Sequence, residues 1–175
     1  MSKVQKDKST TLGWLLDTAL AISIVFIIYK FFALPVVIEG ISMVPTLEHR
    51  ERALVNRIIY QFGMPESGDI VVFKFPADPK MDFIKRVIGL PGDVIEIKNE
   101  QVVRNGVPLE EPYVMGTTNA NFEKVIVPEG TIFVLGDNRN LSTDSRDQKI
   151  GFIELNDVVG RVDFVWWPLT KIRSL

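Results

Sequence analysis

The feature that most constrains this chain is a predominantly apolar run, Leu12 to Leu34, close to its start. As a helix, at about 1.5 Å per residue, it would extend roughly 34 Å and match a hydrocarbon core ~30 Å thick. Its polar positions form no helical stripe, so such a helix has no face to show to water while the other is buried. Asp17 falls near one end and Lys30 near the other. There a lysine stem can snorkel to the headgroups while Trp14, Tyr29, Phe31 and Phe32 settle at the interfaces. Pro35 is expected to end the helix. A removable targeting peptide has a shorter apolar stretch and a small-residue cleavage site, whereas here Lys30 and a bulky Phe31-Phe32 pair occupy that region. The segment therefore reads as a retained anchor.

Orientation follows from the flanks. Lys3, Lys6 and Lys8 precede the run, and residues 31–49 contain no lysine or arginine, so the N-terminus is expected in the cytoplasm and the rest of the chain outside the cell membrane. The 175 residues then divide into a cytoplasmic segment 1–11, a single transmembrane helix 12–34 and one outward domain 35–175. A domain of that size buries about two-thirds of its unfolded surface, which is enough for a core of its own. It has no cysteine, so disulfides, thiol nucleophiles and cysteine-ligated metals are excluded. A single histidine, His49, rules out a zinc site built from several imidazoles. The net charge of -2 leaves no surplus to neutralise a phosphate backbone, so nucleic acid is not an expected partner. No metal or cofactor is expected.

After Val36 the pattern changes to short alternating or β-branched runs separated by Gly, Pro, Asn and Asp, the signature of an antiparallel β domain. The fold class read here is mainly β, an antiparallel coiled sheet preceded by one transmembrane α-helix. Expected strands are Val36–Ile41, Ala53–Asn56, Ile70–Phe75, Phe83–Ile88, Val94–Lys98, Gln101–Arg104, Lys124–Val127, Ile132–Leu135 and Asp157–Trp166. Short helical turns are expected near Thr46–Glu51 and Ile153–Asn156. Asn105-Gly106, between Val103 and Val107, predicts a tight hairpin turn. Glu110–Glu123 is polar and aperiodic and reads as a surface loop.

Three stretches carry chemistry. The first is Gly40-Ile41-Ser42-Met43-Val44-Pro45-Thr46, at most about 26 Å of extended chain beyond the expected end of the span. A serine between glycine and proline is by itself ordinary turn chemistry. The second is Phe83-Ile84-Lys85-Arg86-Val87-Ile88-Gly89-Leu90-Pro91-Gly92-Asp93. Strand alternation puts Lys85 with Phe83 and Val87, and Arg86 on the other face with Ile84 and Ile88. Lys85 is thereby offered the apolar surroundings a lysine base needs, since its pKa near 10.4 must fall by roughly 2–3 to act near neutrality. Taken alone, both residues also fit solvated strand charges. The third is Gly136-Asp137-Asn138-Arg139-Asn140-Leu141-Ser142-Thr143-Asp144-Ser145-Arg146, a dense polar loop after an apolar strand. It suits either a solvated connection or the supporting shell of a catalytic site.

Together with Gly68-Asp69-Ile70-Val71-Val72-Phe73, these stretches resemble, in order and spacing, the motifs of the type I signal peptidases, which are bacterial leader peptidases of the serine-lysine class. The short chain and single span are similar to the Gram-positive branch. The resemblance covers nearly the whole chain and implies a membrane-bound endopeptidase that removes signal peptides from secretory preproteins, cutting after small residues. It implies Ser42 as nucleophile, Lys85 as general base, Ser142 bonded to the Lys85 amine, and Asp144 paired with Arg146 or Arg86 to brace the site. Asp137 belongs to the same supporting set. Some relatives carry a serine at the position of Gly40 whose hydroxyl helps to hold the oxyanion; this chain lacks that donor, leaving backbone N–H groups such as that of Ser42. The expected partners are preproteins and membrane lipid. Three other readings stand at this level: a triad with His49 as base, oriented by Asp69, Asp93 or Asp144, a self-cleaving serine-lysine repressor, against which the span and the lack of a DNA-binding helical region speak, and a non-catalytic tethered β module.

Overall fold

The computed structural model describes residues 8–31, 33–118 and 121–175. Lys3, Lys6 and Phe32, which carry part of the anchor and orientation expectations, lie outside them. Helix α1 runs Lys8–Phe31. Its described apolar side chains are exposed, among them Trp14, Leu15, Leu20, Val25 and Phe26. Among the described residues no helix is long and apolar enough to cross a membrane. The expected end of the helix is corrected: Ala33 and Leu34 already belong to strand β1, Ala33–Val37. Pro35 sits within that strand instead of marking the helix end. Strand β1 is an edge, and a proline, lacking an N–H, is tolerated on an edge strand.

The remaining strands are β2 (Arg52–Asn56), β3 (Ile70–Phe75), β4 (Asp78–Gly89), β5 (Val94–Lys98), β6 (Gln101–Arg104), β7 (Val107–Pro108), β8 (Phe122–Ile126), β9 (Thr131–Leu135), β10 (Ile153–Glu154), β11 (Val158–Trp167) and β12 (Arg173–Ser174). Among the described residues they form an eight-stranded antiparallel sheet ordered β1-β2-β11-β3-β4-β9-β10, with β12 on β11, and a four-stranded sheet ordered β7-β6-β5-β8. The mainly β, antiparallel expectation agrees with this. Several ends differ. The first strand stops at Val37, so residues 38–41 are not strand, and a short helix α2, Ile59–Phe62, appears where none was expected. A two-residue strand and a 3₁₀ turn take the place of the turn expected at 153–156.

The central strands are buried on both faces, and that explains their β-branched, nearly continuous apolar sequences. In β3, Val71 and Phe73 join one cluster with Val87, Ile132 and Val134, while Ile70 and Val72 join another with Ala53, Val55, Val162 and Val165. Strand β9 divides likewise: Phe133 and Leu135 pack with Ile88, Ile95, Ile97 and Val102, joining the two sheets. The Asn105-Gly106 hairpin forms as expected, with φ of +53° and +81°, the left-handed pair that a two-residue turn requires.

Candidate active site

The Ser42 turn is held by its neighbours. Met43 and Leu47 are buried in the core and linked by a Leu47 N–H to Met43 carbonyl bond of 2.9 Å, while Gly40 enters the turn at φ +92°, which favours glycine. From the polar loop, Asn138 N–H donates to the Ser42 carbonyl at 3.0 Å and its side-chain amide to the Ile41 carbonyl at 3.3 Å. No described residue accepts a hydrogen bond from the Ser42 N–H.

Strand β4 brings Lys85 to this turn. Its Nζ lies 2.9 Å from Ser42 Oγ and donates to the Ile84 carbonyl at 3.0 Å. The side chain is 3% exposed, with the amine 5.1 Å from the centre of the Phe83 ring, the neighbour that strand alternation predicts. Burial pushes the amine down from 10.5 to about 8, against the opposing pull of Asp144 and Asp137. A buried amine that loses its proton about a pH unit above neutrality, within hydrogen-bond reach of a hydroxyl, can serve as a base. The two groups flank a groove of about 670 Å³, whose walls include Val36, Gly40, Phe83 and Leu141.

Arg86 points away from Lys85 and pairs with Asp137, Nε to Oδ1 at 2.9 Å and Nη2 to Oδ2 at 2.7 Å, and its Nη1 donates to the Gly68 carbonyl at 2.8 Å. Thr46 Oγ1 donates to the same carboxylate at 2.5 Å, tying the nucleophile turn to this pair. Asp144 takes Arg146 at 2.7 and 2.8 Å and accepts the Gly136 N–H at 3.0 Å. Of the two partners expected for Asp144, Arg146 is the one present, because Asp137 occupies Arg86. The expected Ser142 bond to Lys85 is not formed: Ser142 Oγ is buried without a hydrogen-bond partner, and the amine is taken up by Ser42 and Ile84. Gly136 is required where the loop meets the turn, since a Cβ there would overlap Ser142 Oγ and sit 2.5 Å from the Ser42 carbonyl oxygen. His49 is exposed, and its Nδ1 accepts the Gly40 N–H at 3.2 Å instead of approaching Ser42. Among the described residues no cluster of three or more acidic or imidazole side chains could hold a metal.

Residues 11–167 match the family described as signal peptidase, peptidase S26. The chain belongs to that family. It is 40% identical to signal peptidase IB of Staphylococcus aureus (strain N315), over 95% of this chain and 94% of that protein. It is 39% identical to signal peptidase I of Bacillus caldolyticus, over 98% and 97%. The crystal structure of a signal peptidase I from Enterococcus faecalis V583 superposes with a TM-score of 0.51 at 34% identity, covering 57% of this chain and 97% of that one. Membership makes this chain a serine protease of the S26 type and accords with the mainly β fold.

Several residues of the site were not singled out from sequence. Arg139, 1% exposed, makes a two-pronged pair with Glu111 at 2.8 and 2.7 Å. Tyr113 donates to Glu111 at 3.0 Å and stacks on Arg86. At the far end of the chain, Arg173 donates to the Thr46 carbonyl at 2.6 Å and pairs with the buried Glu51. An arginine inside a densely polar loop is the one local signal that pointed this way; its partner 28 positions upstream has none.

Proposed function

We propose that this chain is a membrane-bound endopeptidase that removes signal peptides from secretory preproteins, with Ser42 as nucleophile and Lys85 as general base. The observation that carries the reading is the buried Lys85 amine 2.9 Å from the Ser42 hydroxyl. Neutral Lys85 takes the Ser42 proton as Oγ attacks the peptide carbonyl. The tetrahedral oxyanion is stabilised by backbone N–H groups, that of Ser42 among them. Collapse expels the amine of the downstream fragment, which receives the proton from Lys85 and leaves an acyl ester on Ser42. Lys85 then takes a proton from water as it attacks the ester and returns that proton to Ser42 Oγ as the upstream fragment leaves with its new carboxyl group. The preference for small residues before the cut is what the family resemblance implies.

The anchor reading is supported by α1, whose described apolar side chains are exposed and fit lipid. An N-terminus in the cytoplasm and residues 35–175 outside place the serine near the outer face, where a signal peptide's apolar core holds its cleavage site at high effective concentration. The test is incubation of the detergent-solubilised protein with a preprotein and sequencing of the new N-terminus. Wild type is expected to cut at the signal-peptide junction, and S42A and K85A to leave the preprotein intact while remaining folded. Turnover retained by either variant defeats the assignment.

A further inference from the structure

The residue next to the proposed base holds an unusual position. Arg86 is 9% exposed, with Asp137 along one edge of its guanidinium and the ring of Tyr113 stacked 3.9 Å from its central carbon. Tyr113 comes from residues 109–118, after β7, a strap that leaves the smaller sheet and crosses to the polar loop. It is fastened there at several points: Glu111 to Arg139, the Met115 N–H to the Asp137 carbonyl at 3.2 Å, and Arg139 Nη1 to Thr118 Oγ1 at 3.4 Å. Arg139 in turn donates to the Gly136 carbonyl at 3.0 Å, and Arg146 donates to the Arg139 carbonyl at 2.7 Å. The strap is therefore built onto the loop that carries Asp137 and Asp144.

We propose that Tyr113 is a positioning residue for catalysis: its ring clamps Arg86 onto Asp137, keeping that carboxylate's charge neutralised beside the nucleophile turn that Asp137 also holds through Thr46. The inference rests on the Ser42–Lys85 reading above. The charged and titratable groups facing this corner are Asp137, Asp144, Arg139 and Arg146 from the polar loop, Glu111 and Tyr113 from the strap, and Arg86 from β4 itself. The nucleophile turn contributes only the hydroxyls of Ser42 and Thr46. Of these, Asp144 and Asp137 favour the protonated amine. Asp144 keeps Arg146 whatever the strap does, but Asp137 has Arg86, whose outer face Tyr113 covers. A planar guanidinium stacks well on an aromatic face, and an aliphatic side chain does not replace that contact. Without the ring, Arg86 rehydrates and its hold on Asp137 loosens. The carboxylate then acts more strongly on Lys85 and keeps the amine protonated to higher pH.

The hydroxyl of Tyr113 has the separate task of meeting Glu111, so the ring and the hydroxyl can be tested apart. The experiment is the pH profile of kcat/KM between pH 6 and 10 for preprotein cleavage by the full-length, detergent-solubilised wild type, Y113F and Y113L. Y113F, which keeps the ring, is expected to follow the wild-type midpoint near pH 8. Y113L is expected to move the midpoint up by about 0.5–1 pH unit, losing about three- to tenfold at pH 7 and recovering at pH 10. A Y113L profile lowered by the same factor at every pH, or unchanged, overturns the proposal, because a merely structural contact scales activity without moving its midpoint. Where Y113L does not fold, Y113M offers a longer, more adaptable side chain without the flat ring and is held to the same midpoint criterion. Cleavage by K85A would overturn the underlying serine-lysine reading itself, a result separable from the midpoint comparison.

Discussion

Replacing Lys85 with methionine should abolish cleavage and, near neutral pH, make the protein more stable. Lys85 is almost fully buried, and its amine is pushed from 10.5 down to about 8 chiefly by loss of water. At pH 7 the amine is mostly protonated in the folded and unfolded chains alike. Holding the ammonium in the folded site then costs about 3 kcal/mol, at about 1.4 kcal/mol per tenfold change. Between pH 8 and 10.5 the unfolded chain binds more protons at this group than the folded one, so that cost declines as pH rises and is gone above 10.5. Methionine has similar length and volume and carries no charge. Against the gain stand the lost bonds to Ser42 and to the Ile84 carbonyl, about 1 kcal/mol each. The net expectation is stabilisation of about 1 kcal/mol at pH 7, or about 2–4 °C in Tm for a chain of this size, gone by pH 9.5. Thermal unfolding of wild type and K85M, side by side in the same detergent at pH 7 and pH 9.5, isolates this group because every other titration cancels. A K85M protein that is less stable at pH 7, or whose advantage does not change with pH, would refute the claim that burial holds this amine near its neutral form.

The same geometry makes further predictions. D137N removes the counter-charge of the buried Arg86 guanidinium and should destabilise by about 3–5 kcal/mol, seen as a fall in Tm of more than about 6 °C, with activity lost. G136A forces a Cβ against the Ser42 carbonyl and Ser142, so kcat should fall at least about 100-fold because a shift of about 1 Å at the nucleophile has that scale, while circular dichroism still reports a folded β domain. H49A should keep kcat within about twofold, because the ring bonds to the Gly40 N–H at the surface and removing such an exposed bond costs little. A near-complete loss there would favour a histidine base.

What the chain declares by itself is local. A β-branched apolar run at residues 70–75 and alternation across 94–98 announced strands, Asn105-Gly106 announced its hairpin, and four short motifs in order marked Ser42, Lys85 and the 136–146 loop. Each of these signals lies within about a dozen neighbouring residues, where backbone preference and side-chain alternation suffice. The helix end was misread for the same reason: an apolar run and a proline look alike whether Ala33 and Leu34 continue a helix or enter an edge strand, and pairing with Val55 and Asn56 made the choice. Partnership across the fold was also beyond local pattern. Asp137 and Asp144 are equivalent carboxylates in one loop, and only the packing of β4 against β9 gives Arg86 to the first and leaves Arg146 to the second. Glu111 and Tyr113 sat in a stretch with no periodicity, and their contact with the site exists only because the smaller sheet docks beside it. The same holds for the lowered pKa of Lys85. Sequence supplies a lysine with apolar neighbours on its strand, but removal of water from the amine is a property of the assembled walls around it.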